Sequence, residues 1–190
     1  SGVDGLVCVN NRAGGHLGPN AMEGMFEELH DLNLPLICAG GIGSEVELNK
    51  ALKLGYDGVQ MGTRFVASEE CNTLEDYKLA IVNASENDIV STTRLTGVPV
   101  SVIKSKDFKE DNSWIFKKLL KSKFKHKARM ILNLMSLFRS KYFLKSRNSK
   151  NRKKTQSLYS AGKSVHTIKK IDSATSIMRQ LGNSITKINI

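Results

Sequence analysis

A histidine flanked by glycines is the residue whose type and setting are best suited to chemistry. His16 follows Gly14 and Gly15 and precedes Leu17 and Gly18, in a segment with few side chains that could pack around an imidazole. A neutral imidazole can take a proton from a carbon acid, because its pKa lies near working pH. A lone loop histidine is more often a surface residue, but the flanking glycines favour a catalytic base at His16.

Three glycine-containing turns each follow a short apolar run, at residues 13–16 (AGGH), 39–42 (AGGI) and 61–64 (MGTR). In parallel α/β folds the ligand site lies at the carboxyl ends of the strands, so these turns are expected on one face. Glycine lets the backbone approach a ligand and point N–H groups at an anion, and a following helix N-terminus adds a favourable partial charge. The second and third turns therefore predict a phosphate cradle.

The less specific interpretation is that these glycines only close tight turns, which is the commoner role of any single Gly-Gly pair. Two consecutive turns together with the histidine loop favour the cradle. Arg64, which follows the third turn, is equally suited to contacting a phosphate and to pairing with an acidic residue.

Strands alternate with amphipathic helices over the first 66 residues. Ser44 and Glu47 form a capping box that begins one helix, and Gly55 is placed to end it. This alternation implies a parallel sheet buried on both faces, as a doubly wound sheet or a barrel. The predicted strands are 5–9, 35–39 and 58–61, and the predicted helices are 21–32, 44–54, 73–84 and 173–181; segments 88–93 and 98–103 are strands or extended loop.

The basic character of the chain is concentrated in one segment. The formal net charge is +11, and residues 104–154 hold 18 Lys and Arg against three acidic residues. Residues 113–145 are predicted as one or two amphipathic helices, and 146–157 as a linker. This segment could bind nucleic acid or an anionic membrane surface, but an amphipathic lid with solvated lysines is favoured, so we expect no nucleic-acid partner.

The cysteine pattern and the hydropathy bound the class of protein. Cys8, Cys38 and Cys71 form no C-x-x-C motif and no histidine pairing at metal-ligand spacing. We therefore expect no metal site and a cytoplasmic location. No apolar run is long enough to cross a membrane, so no membrane span is expected.

Several segments together resemble the nitronate monooxygenases. The AGGH, AGGI and QMGTRF motifs occur in the family's order and spacing, and this combination is specific. The similarity covers roughly 2–104 well and 158–173 weakly. The resemblance implies an α/β fold that is the C-terminal part of a (β/α)8 TIM barrel with an added basic helical segment. It implies an FMN-binding half-barrel at 1–104, a basic insertion or lid with its linker at 105–157, and a return segment of the barrel at 158–190.

The resemblance also implies an activity and its residues. Members oxidise alkyl nitronates or nitroalkanes with molecular oxygen by means of FMN. The sequence leaves the oligomeric state open, a homo-oligomer included. The AGGH histidine, here His16, acts as the base at the substrate carbon. The residues implied to bind the cofactor are Gly14 and Gly15 in that loop and, around the phosphate, Gly40, Gly41, Gln60, Met61, Gly62 and Thr63.

The sequence departs from the family pattern at two positions. Many relatives carry Glu where this chain has Arg12, and a flavin-contacting Gln where it has Val9. A complete barrel needs roughly 250 residues, so we expect a fragment of a longer protein that binds FMN only weakly by itself.

A related family provides an alternative interpretation of the function. FMN-dependent enoyl-acyl-carrier-protein reductases share the GGH loop, the AGGI turn and the MGTRF segment, and they use NAD(P)H and an acidic carrier protein. The basic segment could attract such a carrier. Residues 10–12 (NNR) before the AGGH motif make this alternative the weaker one.

Overall fold

The computed structural model describes residues 2–92, 99–104 and 159–186. The predicted basic insertion at 105–157 lies outside the described residues. The helices and strands are β1 (Leu6–Val9), β2 (Gly15–His16), α1 (Met22–Leu29), β3 (Leu36–Ala39), α2 (Glu45–Leu54), β4 (Gly58–Gln60), α3 (Thr63–Val66), α4 (Glu75–Asn83), β5 (Ile89–Thr92), β6 (Val100–Ile103) and α5 (Ala174–Thr186).

A parallel sheet of order β1-β3-β4 forms the centre of the fold. Leu6 pairs with Leu36, and Ile37 pairs with Gly58. The paired residues of the three strands therefore lie in rows across the sheet. Helices α1 and α2 connect the strands, as parallel pairing requires. The predicted α/β architecture with a parallel sheet is therefore confirmed.

Local sequence signals fix the ends of the connecting helices. The Ser44 side chain accepts from the Val46 N–H, and the Glu47 carboxylate accepts from the Ser44 N–H at 2.9 Å, which confirms the capping box. Helix α2 ends at Gly55 as predicted. Helix α1 is shorter than predicted, because a 3-10 helix (His30–Leu32) follows it and stops at Asn33 with a φ of 52°.

A second sheet is antiparallel, with the strand order β2-β6-β5, and the sequence did not predict it. Strands β5 and β6 are the segments that the sequence left open between strand and loop. Gly15 pairs with Ser101 and His16 with Val100. His16 therefore lies in a short strand held by β6 and not in a flexible loop, which corrects the sequence interpretation.

Two apolar clusters hold these elements together. In the first, Cys8, Leu36 and Cys38 point from the parallel sheet towards α1, α2 and α5, where Ile177 and Leu181 complete the packing. The second cluster lies between α3, α4 and the C-terminal segment, and its members are Ala67, Ile81, Ala84, Ala161, Val165 and Ile168. Helix α5 extends beyond the predicted end at residue 181.

A buried ion pair anchors the C-terminal segment to α3. Arg64 Nη2 lies 2.7 Å from Asp172 Oδ2, and the two side chains are only 8% and 10% exposed. Arg64 Nη1 also donates to the Lys170 carbonyl. Hydrogen bonds from Lys170 and Arg64 hold the pKa of Asp172 below its usual value. Of the two roles open for Arg64, the structure shows pairing with an acid.

Candidate functional site

A cavity of about 320 Å³ lies where the parallel strands end. It is lined by the histidine segment and by both predicted phosphate-binding turns, so the sequence-predicted groups share one space. The predicted residues that line it are Gly14, His16, Gly40, Gly41, Gln60, Gly62 and Thr63. Gly15 and Met61 are not among the lining residues, and the Met61 side chain packs against the first apolar cluster instead.

The floor of the cavity follows from the strand register. Val9, Ala39 and Gln60 are the last residues of their strands, and they are paired in one row across the parallel sheet. Paired residues on parallel strands point to the same face of a sheet. The floor is therefore apolar over Val9 and Ala39, and Gln60 supplies its amide.

The turn after β3 presents free backbone donors. Gly40 and Gly41 have φ values of 113° and 73°, a region that side chains other than glycine rarely adopt. No hydrogen bond within the described part of the chain uses the N–H of Gly41 or Ile42. The capping box already closes the N-terminus of α2. The turn itself, and not the helix predicted to assist it, therefore offers donors to an anion.

The C-terminal segment approaches the first turn at backbone contact. A Cβ added at Gly14 would lie 2.7 Å from the Gly162 N, and one added at Gly162 would lie 2.7 Å from the Gly14 N. Neither position has room for a side chain. The Gly162 N–H also donates to Thr63 Oγ1 at 3.0 Å. Residues 159–164 therefore close the site against both the first and the third turn.

This closing segment brings in residues that sequence reasoning missed. Tyr77, Ser160 and Ser164 line the cavity. The Tyr77 hydroxyl donates to the Ser160 carbonyl, and its ring stacks on Tyr159 at a centroid distance of 4.6 Å. Burial raises the pKa of Tyr77. The only sequence signal for the segment was its small residues, YSAGKS, and its weak family resemblance.

A buried asparagine couples the histidine segment to the turn after β3. Asn10 is 1% exposed. Its Oδ1 accepts from the Arg12 N–H at 2.8 Å, and its Nδ2 donates to the Gly40 carbonyl at 2.9 Å. Its backbone N–H donates to the Ala39 carbonyl. One side chain therefore sets the spacing between the two parts of the site.

Arg12 is paired with an acidic residue from another segment. Arg12 Nη1 and Nη2 donate to the two Glu86 carboxylate oxygens, each at 2.9 Å. Lys163 Nζ lies 3.4 Å from the same carboxylate, and the Lys163 N–H donates to the Arg12 carbonyl. Hydrogen bonding from Arg12 lowers the pKa of Glu86. The pair joins three segments that surround the cavity.

No Asp, Glu, Lys or Arg of the described residues lines the cavity. An anionic ligand would thus meet neutral donors and His16, without a carboxylate to repel it. Below the floor, burial raises the pKa of Cys38 to about 11, so this thiol stays protonated near neutral pH. Within the described ranges, no three His, Cys, Asp or Glu side chains are placed to hold a metal ion.

The family model for nitronate monooxygenase matches residues 1–184. The chain belongs to the nitronate monooxygenase family. A probable nitronate monooxygenase from Staphylococcus saprophyticus is 31% identical over 126 residues, which is 60% of this chain and 36% of that protein. One from Staphylococcus aureus is 33% identical over 108 residues, or 51% and 30%. The chain therefore spans about a third of the length of these relatives.

Solved structures show that this family member has the fold of a partial α/β barrel. FabK from Thermotoga maritima aligns with a TM-score of 0.71 and 26% identity, over 98% of this chain and 56% of that one. A nitroalkane oxidase from Streptomyces ansochromogenes aligns with a TM-score of 0.67 and 19% identity, over 98% and 54%. Both are of the TIM-barrel type. Of the two architectures that the strand order allowed, the fold is therefore that of a barrel and not of a doubly wound sheet. None of the helices in the described part of the chain is long and apolar enough to span a bilayer.

The Arg12–Glu86 pair predicts the effect of reversing the charge at Arg12. Arg12→Glu places two carboxylates together and should lower the free energy of unfolding by about 1 kcal/mol, a modest value because both side chains are about a third exposed. Adding Glu86→Gln should recover part of that loss. The measurement is urea unfolding, and Lys50→Glu, which reverses a more exposed pair with Glu23, is the control with the smaller effect. Wild-type stability in Arg12→Glu would show that the pair contributes nothing.

Proposed function

We propose that this chain is the cofactor-phosphate and base-bearing part of an FMN-dependent nitronate monooxygenase, which oxidises alkyl nitronates and nitroalkanes with molecular oxygen in the cytoplasm. The observation that carries the proposal is that His16 and the turns after β3 and β4 line one cavity. Family membership supports it. The half-barrel at 1–104, the lid at 105–157 and the return segment at 158–190 are parts of the same proposal.

The residues of the cavity fit FMN. A phosphate needs donors and no opposing carboxylate, and the turn at Gly40 and Gly41 offers unused N–H groups in a cavity without acidic lining. A Cβ at Gly62 would meet no heavy atom within 4 Å, so this turn is also open towards a ligand. Val9 and Ala39 give the apolar surface that a planar ring requires. We assign the phosphate to Gly40, Gly41, Gly62 and Thr63.

The remaining assignments concern the ring and the substrate. Bound FMN would supply the electron-accepting chemistry of the oxidation. Gln60 provides the polar group of the floor, and Gly14 and Gly15 let the first turn lie against the ring. Met61 is assigned through its backbone, because its side chain is in the apolar cluster.

His16 is assigned as the base that removes the α-proton of a neutral nitroalkane. Its backbone is fixed by pairing with Val100, and the following N–H, of Leu17, donates to the Pro99 carbonyl. The imidazole is solvent-exposed and lines the cavity, so it can take a proton from a bound carbon acid and release it to water. A preformed nitronate has already lost this proton and does not need the base.

Replacement of the base separates these two substrates. With FMN in excess, His16→Asn should lower turnover of a neutral nitroalkane at least about a hundredfold, the usual range for general base catalysis. Oxidation of the preformed nitronate should persist in part. The assay is oxygen consumption, with His30→Asn at the exposed end of α1 as the control that keeps both activities. Unchanged turnover of the neutral nitroalkane in His16→Asn would remove His16 from the mechanism.

The alternative is an FMN-dependent enoyl-acyl-carrier-protein reductase, and the FabK alignment is the observation that favours it. The family model and the curated relatives favour the nitronate monooxygenase. The proposal predicts that NADH, mixed anaerobically with the flavin-loaded protein, reduces the flavin slowly or not at all. Rapid bleaching of the flavin absorbance in a stopped-flow experiment would favour the reductase.

A further inference from the structure

A serine of the closing segment has a buried hydroxyl that the fold does not use. Ser164 is 2% exposed and lines the cavity. Its carbonyl accepts from the Thr167 hydroxyl, but its own hydroxyl makes no hydrogen bond to the described residues. Buried polar groups are almost always hydrogen-bonded, because leaving one unpaired costs its full desolvation. Ser164 therefore lacks a partner that a ligand would supply.

The surroundings of Ser164 define what that partner is. A Cβ added at Gly43 would lie 3.0 Å from the Ser164 Cβ, so this serine packs directly against the turn after β3. That turn carries the unused N–H groups of Gly41 and Ile42. Thr63 accepts from the Gly162 N–H, which leaves its hydroxyl proton free to donate. Donors from three segments thus line the same cavity, and together they suit a ligand with several acceptor oxygens.

The other cavity serine is not in the same position. The Ser160 hydroxyl donates to the Ser101 carbonyl at 3.3 Å, so its hydrogen-bonding capacity is partly met within the protein. The two serines also lie against different turns, since a Cβ at Gly15 would be 3.8 Å from Ser160 Oγ. Of these two serines, Ser164 is the one that combines burial, an unused hydroxyl and contact with the turn after β3.

We propose that Ser164 is a cofactor-binding residue whose hydroxyl donates to the phosphate of FMN. This inference rests on the proposed function and extends it, because it adds a donor from the C-terminal segment to the glycine turns. A hydroxyl that donates to the phosphate strengthens the binding of FMN. It does not affect the binding of riboflavin, which has the same ring but no phosphate. The pair of flavins therefore separates contact with the phosphate from contact with the ring.

The experiment is a fluorescence titration of the full chain with FMN and with riboflavin, carried to concentrations high enough for weak binding. In wild type we expect FMN to bind more tightly than riboflavin. Ser164→Ala should weaken FMN about tenfold, as expected for a lost hydrogen bond to a charged group, and leave riboflavin within about twofold. Ser68→Ala, which alters a buried serine bonded to the Phe65 carbonyl outside the cavity, is the matched control and should change neither.

Other outcomes separate this inference from the proposed function. If Ser164→Ala keeps the full preference for FMN, Ser164 does not contact the phosphate and the flavin site stands without it. If wild type binds both flavins equally, the phosphate is not bound at all, and the phosphate assignment to the glycine turns fails together with this inference. If Ser164→Ala weakens both flavins equally, Ser164 acts on the fold, and the inference is again overturned. If wild type binds neither flavin at millimolar concentration, the proposed function fails and this inference fails with it.

Discussion

The site depends on a backbone contact between two glycines that are far apart in the chain. The virtual Cβ distances of 2.7 Å at Gly14 and Gly162 mean that any side chain at either position would push the segments apart. Through this contact the C-terminal segment reaches Thr63 and places Ser160 and Ser164 in the cavity. The buried Arg64–Asp172 pair holds the far end of the same segment. The cavity is therefore built by chain segments that lie before and after residues 105–157 in the sequence.

The histidine segment is held from two sides by polar groups. Beneath it, Asn10 bonds to the Gly40 carbonyl and to the Arg12 N–H. Outside it, Arg12 is paired with the opposite charge of Glu86 through two hydrogen bonds. The bonds of the buried Asn10 side chain specify one arrangement of this segment. His16 is positioned by these contacts and by the pairing of its backbone with Val100.

Local sequence signals predicted the helices and the parallel strands, but they carried no information about contacts between residues remote in sequence. The Ser44–Glu47 capping box, the stop at Gly55 and the parallel strands follow from neighbouring residues, and the glycine turns were placed on one face because parallel strands end together. The strand at His16 could not be predicted, because its partner Val100 is remote in sequence and a two-residue strand has no periodicity. Ser164 was missed for the same reason, since tertiary contacts at Gly14 and Gly43, remote in sequence, bring it to the cavity.

The central claim is that the histidine segment, the two glycine turns and the closing segment bind one ligand together. Amide hydrogen exchange with and without saturating FMN tests it most directly, because backbone protection reports where a ligand contacts the chain. Protection is expected at 13–16, 40–43, 61–64 and 160–164, with exchange in α1, which does not line the cavity, unchanged. Protection that spares 40–43 and 61–64, or that leaves 160–164 exchanging as in the free chain, would contradict a shared flavin site.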